Sequence, residues 1–323
     1  MVSPLIRRFL SATILLSFVV TVSLSPCLAQ SGPTATPPGT PQATLTDQQP
    51  PFDKLELFAL FAAGPIAPYA SQVIHKRGCT FAPDAAFIAA FPTPAFQEIL
   101  RNIKPRLAKQ SSPERDAAYE LLPRALDATH HRQFDVSDEN YQKALKLAPD
   151  SATLHLAYAA NFLLVPNGVK AEPEARRSLE LWPDNAEAHG ILSLALMAEG
   201  KLAEAAAEAR ETLRIFPQHT SAEFQLAISL ARNRQCDEAM PALRNALAVM
   251  PGMPPLHKFL GLCLLQSKHT DEAIGQLTWY VNADPTDHEG HYFLGTALRA
   301  AGRQTEADSQ FQQAERLKSS NAQ

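Results

Sequence analysis

Pro149, Pro183, Pro217, Pro251 and Pro285 follow one another at intervals of 34 residues. Proline occurs 26 times in the 323-residue chain, so one such pair would carry little weight. Five in strict register define a repeat. A fixed period of this length means stacked supersecondary units, each of which buries its apolar face only against its neighbours.

Other positions recur in the same frame. Twelve residues before each unit closes stands a small residue: Ser137, Ala171, Ala205, Ala239, Ala273 and Ala307. A second small column reads Ala125, Ala159, Ser193, Ala227, Gly261 and Gly295. Three residues after it comes a large apolar side chain, Phe162, Leu196, Leu230, Leu264 or Leu298, with Ala128 departing in the first unit. With Pro closing every unit but the last, this pattern resembles the tetratricopeptide repeat (TPR) over residues 113–318, six units in all. The resemblance implies an all-α fold, a right-handed superhelical stack of helix-turn-helix repeats, preceded here by a small helical module. It assigns the small residues to helix crossings, the large ones to the space between helices, and Pro to the end of each second helix. Turns such as Glu199-Gly200-Lys201 and Ala301-Gly302-Arg303 then join the two helices of a pair.

The departures carry expectations of their own. Pro123 falls inside the first helix of unit one and is expected to kink or divide it. Pro166 and Pro173 interrupt unit two, whose second helix is expected to begin late, near Glu172. Pro241 comes early in unit four's second helix, with Asp237 available as a cap. The second helix of the last unit is polar outside (Gln304, Glu306, Asp308, Gln310, Gln312, Gln313, Glu315), so it can serve as its own solvent cap.

Residues 1–29 read as a signal peptide. Arg7 and Arg8 precede an apolar run from Phe9 to Leu24, and Cys27-Leu28-Ala29 offers a cleavage site before Gln30. That order predicts an exported protein, periplasmic or extracellular. The alternatives are a retained anchor, for which the run is short, and lipidation at Cys27, which Pro26 disfavours. Residues 30–52 are rich in Pro, Thr and Gln and are expected to form a disordered linker. Residues 53–107 read as a small four-helix module with breaks at Gly64, Gly78, Pro83 and Pro94. Its segments LFALFAAG, RGCTF and FQEILRNIK resemble a module that precedes repeat arrays in some exported bacterial proteins. Residues 319–323 are expected to be a disordered tail. No stretch after the leader is long and apolar enough to span a bilayer.

Composition argues against several functions. The formal net charge is −4, and the basic surplus that offsets phosphate is missing, so nucleic acid is not an expected partner. Cys79, Cys236 and Cys263 are an odd set once the leader is removed, and are expected to be buried small hydrophobes. His155, His189, His257 and His291 share one repeat position, which Glu223 fills in the fourth unit. Columns spaced by helix packing cannot converge on one metal, so these are expected to be half-buried flat rings. His130 and His131 lie at the first inter-helix turn. No phosphate loop, nucleophile elbow or His-Glu-x-x-His sequence occurs. Asp237-Glu238 and Asp271-Glu272 suit helix starts and are expected to be capping residues. No catalytic residue, cofactor or metal is predicted.

What remains is a groove lined by the first helix of each unit. By register its inner face comprises Leu156, Ala160, Met197, Phe224, Ile228, Arg232, Lys258, Leu262, Leu265, Tyr292 and Arg299. Apolar patches punctuated by cations suit a protein or peptide partner carrying acidic groups. The functional expectation is a non-catalytic protein-protein interaction scaffold. The alternative is a permanent accessory subunit of a cell-envelope assembly or enzyme complex.

Overall fold

The computed structural model describes residues 49–320 except 65–66, 90, 92–93, 104, 106–111 and 165–167. The leader, nearly all of the linker and Pro166 lie outside the described residues. Sixteen α-helices form the described chain: α1 Lys54–Ala62, α2 Ala67–Arg77, α3 Ala85–Ala89, α4 Pro94–Arg101, α5 Pro113–His130, α6 Phe134–Leu147, α7 Ala152–Leu163, α8 Gly168–Leu181, α9 Ala186–Ala198, α10 Leu202–Ile215, α11 Thr220–Arg232, α12 Cys236–Val249, α13 Pro254–Gln266, α14 Thr270–Ala283, α15 His288–Ala300 and α16 Gln304–Ser320. The fold is all-α. From α5 onward the helices come in pairs, with α5, α7, α9, α11, α13 and α15 as first helices.

The repeat columns explain the boundaries. Helices α6, α8, α10, α12 and α14 each end two residues before a closing proline. A residue that precedes proline is driven out of the α region, and Ala148, Met250 and Asp284 accordingly take φ of −138°, −126° and −131°. Within a pair the turn needs one left-handed residue. Arg132, Gly200, Arg234, Lys268 and Gly302 supply it at φ of 59°, 77°, 61°, 63° and 78°. Ser137, Ala171, Ala205, Ala239, Ala273 and Ala307 are all fully buried, as helix crossings require. A Cβ added at Gly261 would lie 2.6 Å from Leu277 Cγ, and one at Gly295 would lie 2.8 Å from Phe311 Cε1. The small residues therefore set how closely each pair packs.

The chain forms two compact units. One runs to Ile191 and includes Arg214–Phe216; the other comprises Leu192–Leu213 and everything from Pro217. In the first unit α5 pairs with α6 and α7 with α8, while α1 lies against both α5 and α7. Its core is aromatic: Phe61 and Phe91 are 4.7 Å apart, and Phe58 meets Tyr119 edge-on at 5.5 Å. Phe52 exchanges backbone hydrogen bonds with Gly78 and Thr80 at 2.9 Å. In the second unit α11–α12, α13–α14 and α15–α16 stack in sequence around a core that includes Leu230, Leu243, Leu256, Leu264, Leu277 and Leu298. Arg210 meets Glu238 at 2.5 Å and Arg244 meets Glu272 at 2.9 Å, a ladder between successive second helices. Helix α16 buries only Ala307 and Ala314, as befits a solvent-facing end.

Four expectations are corrected. Helix α5 is not divided at Pro123 but continues through it for 18 residues. Helix α8 begins at Gly168, not near Glu172, with Pro173 inside it. Proline that early in a helix removes a single backbone bond, which burial of the helix face can offset. Asp237 is not a cap. The cap positions of α12 and α14 are Gln235 and His269, neither with a side-chain capping bond, and the acidic pairs occupy the first turn. There they still favour the positive helix end. Cys236 and Cys263 are not separate buried thiols. They form a disulfide with Cα atoms 5.1 Å apart, because the first residue of α12 faces the last turn of α13. Cys79 alone is a free, buried cysteine among the described residues, and burial pushes its thiol up to about 12.

Candidate functional site

The first-helix face differs between the two units. In the first unit it is covered by the chain itself. Every residue of α1 from Leu55 to Ala62 is buried, and α1 packs on the first helices α5 and α7. Helix α7 is buried around its circumference, with Leu156 at 0% exposure and Ala160 at 3%. Leu156 therefore lies in the core and not on an open groove.

Charge locks α1 in place. Asp53 caps it by accepting from Glu56 N at 2.8 Å. Arg115 of α5 donates to Asp53 Oδ2 at 2.5 Å and to Glu56 Oε1 at 3.2 Å, and Arg77 of α2 lies 3.7 Å from Glu56. Two carboxylates and two guanidinium groups neutralise one another. Burial pulls the Arg77 pKa below its ordinary value, and Glu56 limits the fall. Arg115 is raised, because Asp53 and Glu56 outweigh its burial. Helix α2 closes the end of the same face. Tyr69 is fully buried; its hydroxyl donates to Asn185 Oδ1 at 3.0 Å and accepts from Ala186 N at 2.9 Å, at the start of α9.

In the second unit the corresponding positions are partly open. Phe224, Leu262 and Leu265 are half-buried, Ile228 is buried, and Tyr292 is 52% exposed. Arg232 is exposed, with Nη1 3.5 Å from Met197 O. Arg299 is exposed and places its guanidinium 5.1 Å from the Phe311 ring centroid. Lys258 differs from both. It is bound to Asp287 at 2.8 Å and Glu289 at 2.9 Å, across to α15 and its cap. Tyr280 also donates to Asp287, at 2.7 Å. Burial tends to raise the Asp287 carboxyl, but the bonds from Lys258 and Tyr280 prevail and hold it below the usual range. Burial would lower Lys258, and the two carboxylates raise it instead. Lys258 is thus neutralised internally, while Arg232 and Arg299 present charge.

The histidine column has a role that periodicity did not reveal. His155, His189, His257 and His291 each place Nε2 at 2.9–3.1 Å from the carbonyl oxygen of the preceding closing proline, Pro149, Pro183, Pro251 and Pro285. An imidazole N–H there satisfies a carbonyl that a helix end leaves unpaired. In three of them Nδ1 meets the side chain nineteen residues on: Glu174 at 2.6 Å, and Gln276 and Gln310 at 2.7 Å. Each of these three rings therefore ties the end of one repeat to the second helix of the next. The recurring six-residue offset from Pro and nineteen-residue offset to Glu or Gln were visible in the sequence. His131, at the first turn, is tied back to Asp127 Oδ1 at 2.9 Å. Among the described residues no three His, Cys, Asp or Glu side chains are grouped to hold a metal.

A family model described as tetratricopeptide repeat matches residues 230–301, and a second model of the same description matches 170–220. Residues 170–220 and 230–301 are tetratricopeptide repeats. Solved TPR structures resemble the chain. PilW, described as a widely conserved type IV pilus biogenesis factor, is 20% identical with a TM-score of 0.50, covering 62% of this chain and 91% of its own. YrrB, described as a TPR protein with an unusual peptide-binding site, is 20% identical with a TM-score of 0.48, covering 55% and 91%. MamA from Desulfovibrio magneticus RS-1 is also 20% identical at 0.48, covering 52% and 96%. At this identity the likeness to PilW concerns the fold alone. No curated protein matches the TPR chain in sequence. Among its described residues no helix is long and apolar enough to cross a membrane.

Proposed function

We propose that this TPR protein is an interaction scaffold that captures a helical or extended segment of a protein partner on the first-helix face of its second unit. The observation that carries the reading is the contrast between the two faces. In the first unit an apolar helix of the chain's own, α1, fills the face and is clamped by charge. In the second unit the face has apolar side chains half-open at Phe224, Leu262, Leu265 and Tyr292, with Arg232 and Arg299 beside them. The occupant of the first face indicates what suits the second: a short apolar stretch whose carboxylates meet arginine. Catalysis has no part in this reading. The leader-like residues 1–29 support export, and the Cys236–Cys263 disulfide fits an oxidising compartment.

Lys258 is a poor probe of this face, because reversing its charge would set like charges against Asp287 and Glu289. The test uses a photo-crosslinking residue at Tyr292 and, in a second protein, at Val249, which is 54% exposed on a second helix. One partner should be labelled from Tyr292 and not from Val249, and Leu262→Asp should abolish that labelling with helical content unchanged. Equal labelling from both positions, or labelling that survives Leu262→Asp, would refute the reading. Stoichiometric co-purification of the same partner would identify the chain as a permanent subunit rather than an exchanging scaffold.

A further inference from the structure

The histidine column is interrupted in unit four, and a cavity lies at the break. Position 223 is Glu, and the side chain nineteen residues on is Ala242, where the neighbouring repeats carry Glu174, Gln276 and Gln310. Both the ring and its partner are therefore missing. Around them is a cavity of about 350 Å³ between α10, α11 and α12. Arg210 and Leu213 line it from α10, Glu223 and Leu226 from α11, and Pro241 and Ala242 from α12. All of these belong to the second unit. Walls from two second helices place the cavity away from the partner face proposed above, and the inference does not depend on that reading.

The chemistry inside is incomplete. Glu223 Oε2 is buried and has no hydrogen-bond partner. By register the neighbouring carbonyl is that of Pro217, the counterpart of the oxygens that receive Nε2–H from His155, His257 and His291. A carboxylate has no N–H to offer such a carbonyl. Two acceptors thus stand where the other repeats pair a donor with an acceptor. Arg210 lines the same cavity, but its guanidinium bonds Glu238 at 2.5 Å and leaves Glu223 Oε2 without a partner. The lining charges, Glu223, Glu238 and Arg210, sum to a single negative charge. The Glu223 carboxyl is raised by burial, in keeping with an anion that lacks its counter-charge.

We propose that the cavity beside Glu223 binds a planar N–H-donating cation, a guanidinium group, in the place where the other repeats hold the histidine ring. Such a group can donate to Glu223 and to the Pro217 carbonyl together, in the place where the imidazole bridges two partners. Apolar walls from Leu213, Leu226 and Leu230 suit its weakly hydrated faces. The guanidinium belongs either to a free small molecule or to an arginine side chain of a partner.

The test follows backbone amide NMR shifts of the full chain during titration with methylguanidinium, with tetramethylammonium as a cation lacking N–H donors. Saturable shifts confined to α10, α11 and α12 are expected with methylguanidinium alone. Glu223→Gln, which keeps the volume and removes the charge, should weaken binding about tenfold or more. The double variant Glu223→His, Ala242→Gln rebuilds the pair used by the next repeat; it should melt higher and show no saturable shift. A blocked Gly-Arg-Gly peptide that binds more tightly than methylguanidinium assigns the site to a partner's arginine, and weaker binding assigns it to a free guanidine. Non-saturating shifts, equal shifts with tetramethylammonium, or undiminished binding by Glu223→Gln would overturn the proposal.

Discussion

A left-handed residue is required between the two helices of a pair, and Gly200 and Gly302 meet the requirement without steric cost, whereas Arg234 and Lys268 do not. The sequence showed only the glycine turns, because nothing in the composition of Arg234 or Lys268 reports φ. An L-residue held there costs about 1–2 kcal/mol, partly returned through its smaller unfolded-state entropy relative to glycine. Lys268→Gly should therefore raise stability by about 0.5–1 kcal/mol in urea titrations. A loss of stability would mean that the Lys268 side chain matters more than its backbone. The Lys258–Asp287 pair makes a prediction about pH. Asp287 has a folded pKa below its unfolded value, so its contribution is present at neutral pH and is lost as pH falls through the ordinary aspartate range toward the depressed value. Lys258 is raised, so its contribution is lost as pH climbs above the ordinary lysine value. Lys258→Met should flatten both ends of the stability–pH curve, as read from unfolding midpoints at a series of pH values. An unchanged acid limb would place the dependence elsewhere.

At the scale of elements, α1 and α7 show how an apolar pattern can be misread. KLELFALFA and ATLHLAYAANFL carry apolar residues around most of the helix. A helix of that kind must be buried on every side, and that signal was present in the sequence. Repeat register instead placed Leu156 on an open face, because register describes a repeat and not what lies upon it. The short N-terminal helices accordingly do not pack on one another alone; α1 completes the core of the first two pairs. Arg115 holds it there through Asp53 and Glu56. Arg115→Met leaves those carboxylates with Arg77 alone, and since Arg115 retains some solvent contact the cost should be about 2–4 kcal/mol, short of a fully buried pair. Amide exchange should rise first in α1, with α13 to α16 unaffected. Unchanged protection of α1 would show that its apolar contacts suffice without the charge clamp.

For the whole molecule, a repeat array distributes stability among neighbours, so a local lesson should stay local. The Cys236–Cys263 disulfide spans a sequence separation of 27 residues within the second unit, and loop-closure entropy gives it at most about 3–4 kcal/mol. Reduction should speed amide exchange first in α12, α13 and α14 and leave α5 to α8 as protected as before. Uniform loss of protection would contradict the repeat description. The period of 34, the columns of small residues and the closing prolines determined the helix pairs by themselves, because each acts through local sterics: a closing proline drives the residue before it out of the α region, and a small side chain admits a close crossing. Pairing of Cys236 with Cys263, covering of the first face by α1, neutralisation of Lys258 by Asp287 and Glu289, and the gap beside Glu223 were decided by the tertiary structure. Each depends on which side chain from a distant position arrives opposite, and a one-dimensional period carries no information about what meets across a helix interface.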